Sequence, residues 1–184
     1  QTSADPMSIL FPEITLPTTV VGSYPVAPRK GLTRIFDPCR EAVRTAVHDQ
    51  LAAGIDIISD GQVRGDMVRI FTSRLPGVRG NDVIGKVSSP ESPITVADTR
   101  YAISQTQRVK GIITGPTTLS FALHLSSPVY RDRSDLARDL ANALAQEAAA
   151  LAEAGAAIIQ IDEPILSTGI ADLNRAREAL GIIS

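Results

Sequence analysis

Residues 156–167 read AAIIQIDEPILS. Positions 156–161 have the length and β-branched character of a strand buried on both faces, and the run stops at two adjacent acids, Asp162 and Glu163, followed by Pro164. Such a strand ends in paired carboxylates where a cation, hydrogen-bond donors or a metal receives them. A helix cap absorbs one acid, but two acids before a proline point to a site at the C-terminal end of the strand.

The same grammar repeats outward from this stretch. SDLARDLANALAQEAAALAEAG, 134–155, predicts the clearest helix, capped by Ser134, striped by Leu136, Leu140, Leu144 and Leu151, and stopped by Gly155. VKGIITGP, 109–116, is a buried strand; IDIIS, 55–59, is another, running into the loop DGQVRGD and a short helix over 67–71. TTVVGS, 18–23, is the first strand, broken by Gly22 and Pro25. In FDPCREAVRTAVHDQLAAG, 36–54, Asp37 reads as N-cap, Pro38 as first helical residue and Gly54 as stop, with Ala42, Val43, Ala46, Val47 and Leu51 on one face. An irregular Gly/Ser/Pro-rich section holds 83–87 as an extra hairpin strand; helices follow from Thr95 and over 171–184.

Strands alternating with helices imply an α/β layer or barrel. The polar residues Ser23, Asp60 with Gln62, Thr114, and Asp162 with Glu163 all fall at C-terminal strand ends. In a β/α barrel that edge gathers site groups from every strand, whereas a doubly wound sheet gathers them only at its switch point. The expected fold is therefore a (β/α)8 TIM-type barrel, of which 184 residues supply about the first four units of a fold that typically takes about 250. Residues 1–6, ahead of Met7, read as a leader, and 7–184 as the N-terminal half of one barrel domain with an open edge through which copies could self-associate.

Composition narrows the partners. Eighteen basic against twenty acidic residues give a net charge of −2 without a basic block, which argues against nucleic acid. No apolar run approaches the ~20 residues of a membrane span, no signal-peptide pattern opens the chain, and the single cysteine, Cys39, agrees with a reducing compartment; these point to a cytoplasmic protein off the membrane. Cys39 and His48 are nine positions apart on one helix, on opposite faces at 3.6 residues per turn, so they cannot share a metal, and His124 is alone. No G-x-S-x-G, dinucleotide or P-loop pattern occurs. VVGSYP reads either as an anion-binding turn, with Gly22 admitting backbone N–H groups and Ser23 adding a hydroxyl, or as a plain strand-ending turn. Asp60 and Gln62 read either as ligand contacts or as turn formers, and Thr114 either as a site group or as a partner for backbone.

Four motifs in order, TTVVGSYP (18–25), ISDGQVRGDMV (58–68), KGIITGPTTL (110–119) and IIQIDEPIL (158–166), resemble the catalytic barrel of the cobalamin-independent methionine synthase family, most closely its short archaeal-type form. The resemblance implies a methyltransferase that makes methionine by methylating the zinc-bound thiolate of homocysteine, zinc favouring the nucleophilic sulfur. It implies that Val21, Gly22 and Ser23 hold the substrate carboxylate, that Asp162 receives the ammonium, and that Gln62 keeps a neutral contact where longer members carry a glutamate. Asp60, Thr114 and Glu163 are then supporting groups behind the substrate contacts, and no catalytic residue or metal ligand is expected within this chain. The family's zinc ligands come from strands after the IDEP motif, so they are expected beyond Ser184, and the chain by itself is expected to be inactive. IGKVSSPESPIT and TGPTTLSFA lack the Arg-Cys pair and the Trp with which longer members hold folate, Phe121 being the available ring, so a methyl-corrinoid, free or protein-bound, is the expected donor. The rival readings are another thiol methyltransferase or decarboxylase of the same superfamily, and a non-catalytic amino-acid-binding α/β module.

Overall fold

Parallel pairing in chain order is the frame on which everything else hangs. The computed structural model describes residues 11–14, 16–25, 37 and 39–184; the predicted leader and Pro38 lie outside them. The described elements run α1 (Arg40–Ala52), α2 (Met67–Thr72), β1 (Val78–Arg79), β2 (Asp82–Val83), α3 (Val96–Gln105), β3 (Lys110–Thr114), α4 (Pro116–Ala122), β4 (His124–Leu125), α5 (Arg133–Glu153), β5 (Ile158–Asp162), a 3-10 turn (Pro164–Thr168) and α6 (Leu173–Leu180). The segment at 18–21 joins the one at 55–59 through a parallel Thr19–Ile57 bridge; Ile58 bridges Val109; and β3 pairs with β5 from Lys110–Ile158 to Thr114–Asp162.

The pairing shows a rolled sheet. In a flat sheet the first and fourth of these segments would stand about 14 Å apart. Yet the Gln160 side chain on the fourth donates from Nε2 to the Val21 carbonyl on the first at 3.0 Å. The two can meet only if the sheet curls, as barrel strands do.

Side chains alternate across this rolled sheet. Ile113 points outward into a core built with Leu119, Leu136, Leu140, Leu144 and Leu151, and Gly111 faces the same way, where an added Cβ would stand 2.9 Å from Leu151 Cδ1. Each fully buried leucine contributes roughly 1.5–3 kcal/mol. Lys110, Ile112, Thr114, Gln160 and Asp162 share the other, inward face by register. A second core joins α1 to the sheet through Ala42, Val43, Ala46, Val47, Ile58 and Val109. Among the described residues no helix is long and apolar enough to cross a membrane.

Several local expectations change. Helix α1 begins at Arg40, not after Asp37, whose carboxylate accepts from the Cys39 N–H at 3.0 Å and from Arg64. Leu51, assigned to the apolar face, is 38% exposed, and Gln50 is buried instead. Its amide accepts from the Ser59 N–H and donates to the Ser59 carbonyl, replacing ladder bonds at the end of the second segment. Asp132, not Ser134, caps α5, accepting from the N–H groups of Ser134 and Asp135; the Ser134 hydroxyl instead accepts from Arg175. The extra strand is Asp82–Val83, antiparallel to β1 and parallel to β4, in a small sheet apart from the main one. Strand β5 is half-buried throughout rather than buried on both faces, because β3 is its one strand partner among the described residues and its other edge is open.

Helix α3 has no side-chain cap of its own. The buried Glu147 of α5 reaches across and accepts from the N–H of Ile94, the N–H of Thr95 and the Thr95 hydroxyl, each at 2.7 Å. A carboxylate at a helix N-terminus offsets the dipole and satisfies donors that have lost water. Glu147→Ala is expected to cost about 2–4 kcal/mol in chemical denaturation, since it strands buried donors; a loss below about 0.5 kcal/mol would show that the cap contributes little.

Candidate functional site

The Asp60–Gly61–Gln62 turn is built by its own side chains. Asp60 Oδ1 accepts from the Gln62 N–H at 2.9 Å, an Asx turn that bends the chain at once after the second strand segment. Gly61 has φ +83°, and a Cβ there would lie 2.6 Å from Ala46 Cβ, so α1 packs directly on the turn. Gln62 has φ +47°, the one non-glycine residue in the left-handed region among the described residues. Such a conformation costs free energy and marks a constrained position. The turn is tied to the neighbouring segment by Tyr24, whose N–H donates to the Gly61 carbonyl at 2.7 Å.

Arg64 anchors the far end of this loop. Its guanidinium binds Asp37 through two nitrogens and Asp98 through two, and these carboxylates hold its own pKa well above the usual value. The loop is therefore gripped at Asp60 and at Arg64, leaving Gln62 between them to face the barrel mouth.

That mouth is a cavity of about 340 Å³ whose wall carries Val21, Gly22, Ser23, Gln62, Asp162 and Glu163, with Met67 and Ile161 supplying apolar surface. Larger clefts lie elsewhere: one of about 380 Å³ around Phe121 and Arg133, and two of about 550 and 650 Å³ around Arg64 and Arg74. Gly22 lies against Gln62, with an added Cβ only 2.8 Å from Gln62 Oε1. Val21 is 87% exposed, and its contribution is its carbonyl, which accepts from Gln160. The Nε2 of Gln62 is buried without a hydrogen-bond partner, although the residue is only 7% exposed. An orphaned donor beside a cavity invites an acceptor from a ligand. Across the cavity Asp162 ends β5, its Oδ1 accepting from Gln160 Nε2 at 2.7 Å.

The three supporting residues take different places. Glu163 lines the cavity, yet its carboxylate is engaged by the N–H groups of Thr117 and Thr118, at 2.8 and 2.6 Å, and by the Thr118 hydroxyl. It caps α4, and it passes so close to Gly115 that a Cβ there would lie 2.3 Å from Glu163 Cδ. Thr114 is fully buried and donates to the Met67 carbonyl at 2.8 Å, fixing α2 to the end of β3. Asp60 lies beneath Gln62, also within 3.5 Å of the Thr99 hydroxyl. Sequence reasoning passed over Met67 and Ile161 as site residues, and over Gln160; the signal for the last was a lone amide two positions before Asp162 in an apolar strand, hence on the same face.

Among the described residues no group of three or more His, Cys, Asp and Glu side chains is placed to hold a metal ion. His124 and His48 are exposed, each beside one aspartate.

Burial pushes the Asp60 carboxyl up to about 6, reinforced by the charge of Asp98 and opposed by the Gln62 N–H, the Thr99 hydroxyl and Arg64. The unfolded chain releases this proton near the ordinary ~3.9, so between about pH 4 and 6 the folded state holds more protons. Stability is then expected to fall as pH rises through that window and to level off above it. Asp60→Asn, which cannot ionise, should gain on the unaltered chain from pH 4 to pH 7 by roughly 3 kcal/mol or less. Parallel stability–pH curves from denaturant melts would contradict this.

Comparison with known proteins follows the same outline. Residues 16–180 match the family described as "Cobalamin-independent synthase, Catalytic domain". The methionine synthase of Methanothermobacter marburgensis is 45% identical over 91% of this chain and 61% of its own length. That of Methanocaldococcus jannaschii is 46% identical over 90% of this chain and 58% of its own. A B12-independent methionine synthase from Shewanella sp. W3-18-1, solved in complex with selenomethionine, superposes with a TM-score of 0.71 at 32% identity, covering 89% of this chain and 58% of that one. The chain thus spans about three fifths of the length of these relatives. With a family match over residues 16–180 and relatives 45–46% identical over about nine tenths of the chain, the chain belongs to the cobalamin-independent methionine synthase catalytic-domain family.

Proposed function

We propose that this chain forms the amino-acid-binding part of a methyltransferase barrel that makes methionine by methylating the sulfur of homocysteine. The observation that carries the reading is the division of charge across the cavity. The Gly22–Ser23 turn and Gln62, whose buried Nε2 lacks a partner, line one wall, while Asp162 brings a carboxylate to the other. A molecule with a carboxylate and an ammonium on the same carbon, an α-amino acid, matches both walls. Met67 then lies beside its apolar side chain. The names of the relatives, and selenomethionine in the Shewanella structure, support the same substrate class.

Asp162 binds and orients the ammonium, and the Gln62 amide and the Gly22–Ser23 turn hold the carboxylate, so the sulfur end is left to project from the site. Fixing both polar ends turns an encounter into a positioned reactant. Family membership implies zinc, which would favour the thiolate near neutral pH; the described residues offer no ligand set for it. For the donor we favour a methyl-corrinoid over methyl-folate. The segments at 83–95 and 114–122 lack Arg-Cys and Trp, and the nearest ring, Phe121, is already covered by the Arg133 guanidinium at 5.2 Å. The reaction belongs to the cytoplasm, where thiols stay reduced.

Asp162→Asn, made in the full natural protein, is expected to raise the KM for homocysteine at least about tenfold, the scale of one lost charged hydrogen bond. The same change should leave 4-mercaptobutanoate, which has no amino group, unaffected. An equal loss for both thiols would overturn the assignment of Asp162 to the ammonium.

A further inference from the structure

Inside the rolled sheet, below the cavity, lies a polar chain that the amino-acid contacts do not explain. Lys110, only 3% exposed, donates through Nζ to the Val20 carbonyl and to Gln160 Oε1, the latter at 2.7 Å. Gln160 Nε2 in turn donates to the Val21 carbonyl at 3.0 Å and to Asp162 Oδ1 at 2.7 Å. The backbone around Val20 and Val21 leads straight into the Gly22–Ser23 turn, and Asp162 is the opposite wall. One amide thus touches both walls of the site.

The chemistry of the chain fixes its direction. An ammonium can only donate, so it holds the carbonyl end of the Gln160 amide toward itself and leaves the NH2 end for Val21 and Asp162. Burying a lysine is costly unless its charge is used. Burial pulls the Lys110 pKa down and the nearby Asp162 carboxylate counters it, so the amine is placed where the acid stabilises it. No ladder hydrogen bonds link the first and fourth strand segments directly, and the side-chain bridge is what relates them.

We propose that Gln160 is a positioning residue that sets the spacing between the carboxylate-binding turn and the ammonium-binding Asp162, with Lys110 locking its amide in the working orientation. The proposal rests on the reading of the site as an α-amino-acid receptor. It makes Gln160 a determinant of which amino acid fits: one whose charged groups sit on the same carbon, rather than one with an extra methylene between them.

The test compares L-methionine with β-homomethionine, which carries that extra methylene, by calorimetry on the full natural protein. Gln160→Leu is expected to reduce the preference for methionine about tenfold, mainly by weakening methionine. Lys110→Met should shift it the same way by less. Gln160→Glu, which keeps an acceptor for Lys110 but loses both donors, carries the same expectation as Gln160→Leu and serves if the latter does not fold. Asp162→Asn is the control for the underlying reading, expected to weaken both amino acids relative to 4-(methylthio)butanoate. If Asp162→Asn has no such effect, the receptor reading fails. If Asp162→Asn behaves as expected while the Gln160 variants weaken both amino acids equally, or neither, Gln160 does not set the spacing and only this inference falls. Failure of both Gln160 variants to fold would likewise count against a role confined to positioning.

Discussion

The contact on which the arrangement depends is a single amide reaching from the fourth strand segment to the first. A flat parallel sheet spreads its strand ends along a line, and groups at the two ends of that line cannot address one small molecule. Rolling converts the line into an arc. Gly22 and Asp162, which are 140 residues apart in sequence, then face each other across one cavity. The apolar outer faces of β3 and β5 hold the roll from outside, through Ile113 and the leucines of α5, and the polar chain from Lys110 to Asp162 holds it from inside.

Long-range carboxylates recur as structural parts of this chain. Glu147 caps α3 from 52 residues away and Glu163 caps α4 from 46 residues away. Each lets a helix begin close to a strand end without a local cap residue, so the loop before it can be shaped for other purposes. That explains the pair of acids after β5. The adjacent carboxylates divide the work: Asp162 looks into the cavity, and Glu163 is consumed by the first turn of α4.

The layers of the fold were legible because their signals are local. Alternation of strand and helix, the leucine stripe of α5, and the stops at Gly54 and Gly155, with φ of +73° and +99°, all depend on neighbours a few residues away. The candidate wall residues were legible for the same reason, since a polar residue ending an apolar strand is visible in one dimension. What escaped depends on distant partners. Leu51 and Gln50 are adjacent, and only the approach of Ser59 decides that the amide is buried and the leucine exposed. Ser134 is a good cap by type, but the helix begins earlier, and Asp132 takes the N–H groups of Ser134 and Asp135. The use of Gln160 depends likewise on the roll of the sheet, which brings the Val21 carbonyl within its reach.

Gln62 combines two demands that pull against each other. Its backbone sits where glycine is comfortable and asparagine tolerable, while its side chain must be long enough to bring an amide to the cavity wall. Glycine would relax the turn and empty the wall; asparagine would suit the turn and fall short by one methylene. Re-engineering this barrel for another substrate therefore has little freedom at Gln62. Changes of selectivity are better sought at Met67, where the backbone is an ordinary helix and the side chain can be exchanged without reshaping the loop.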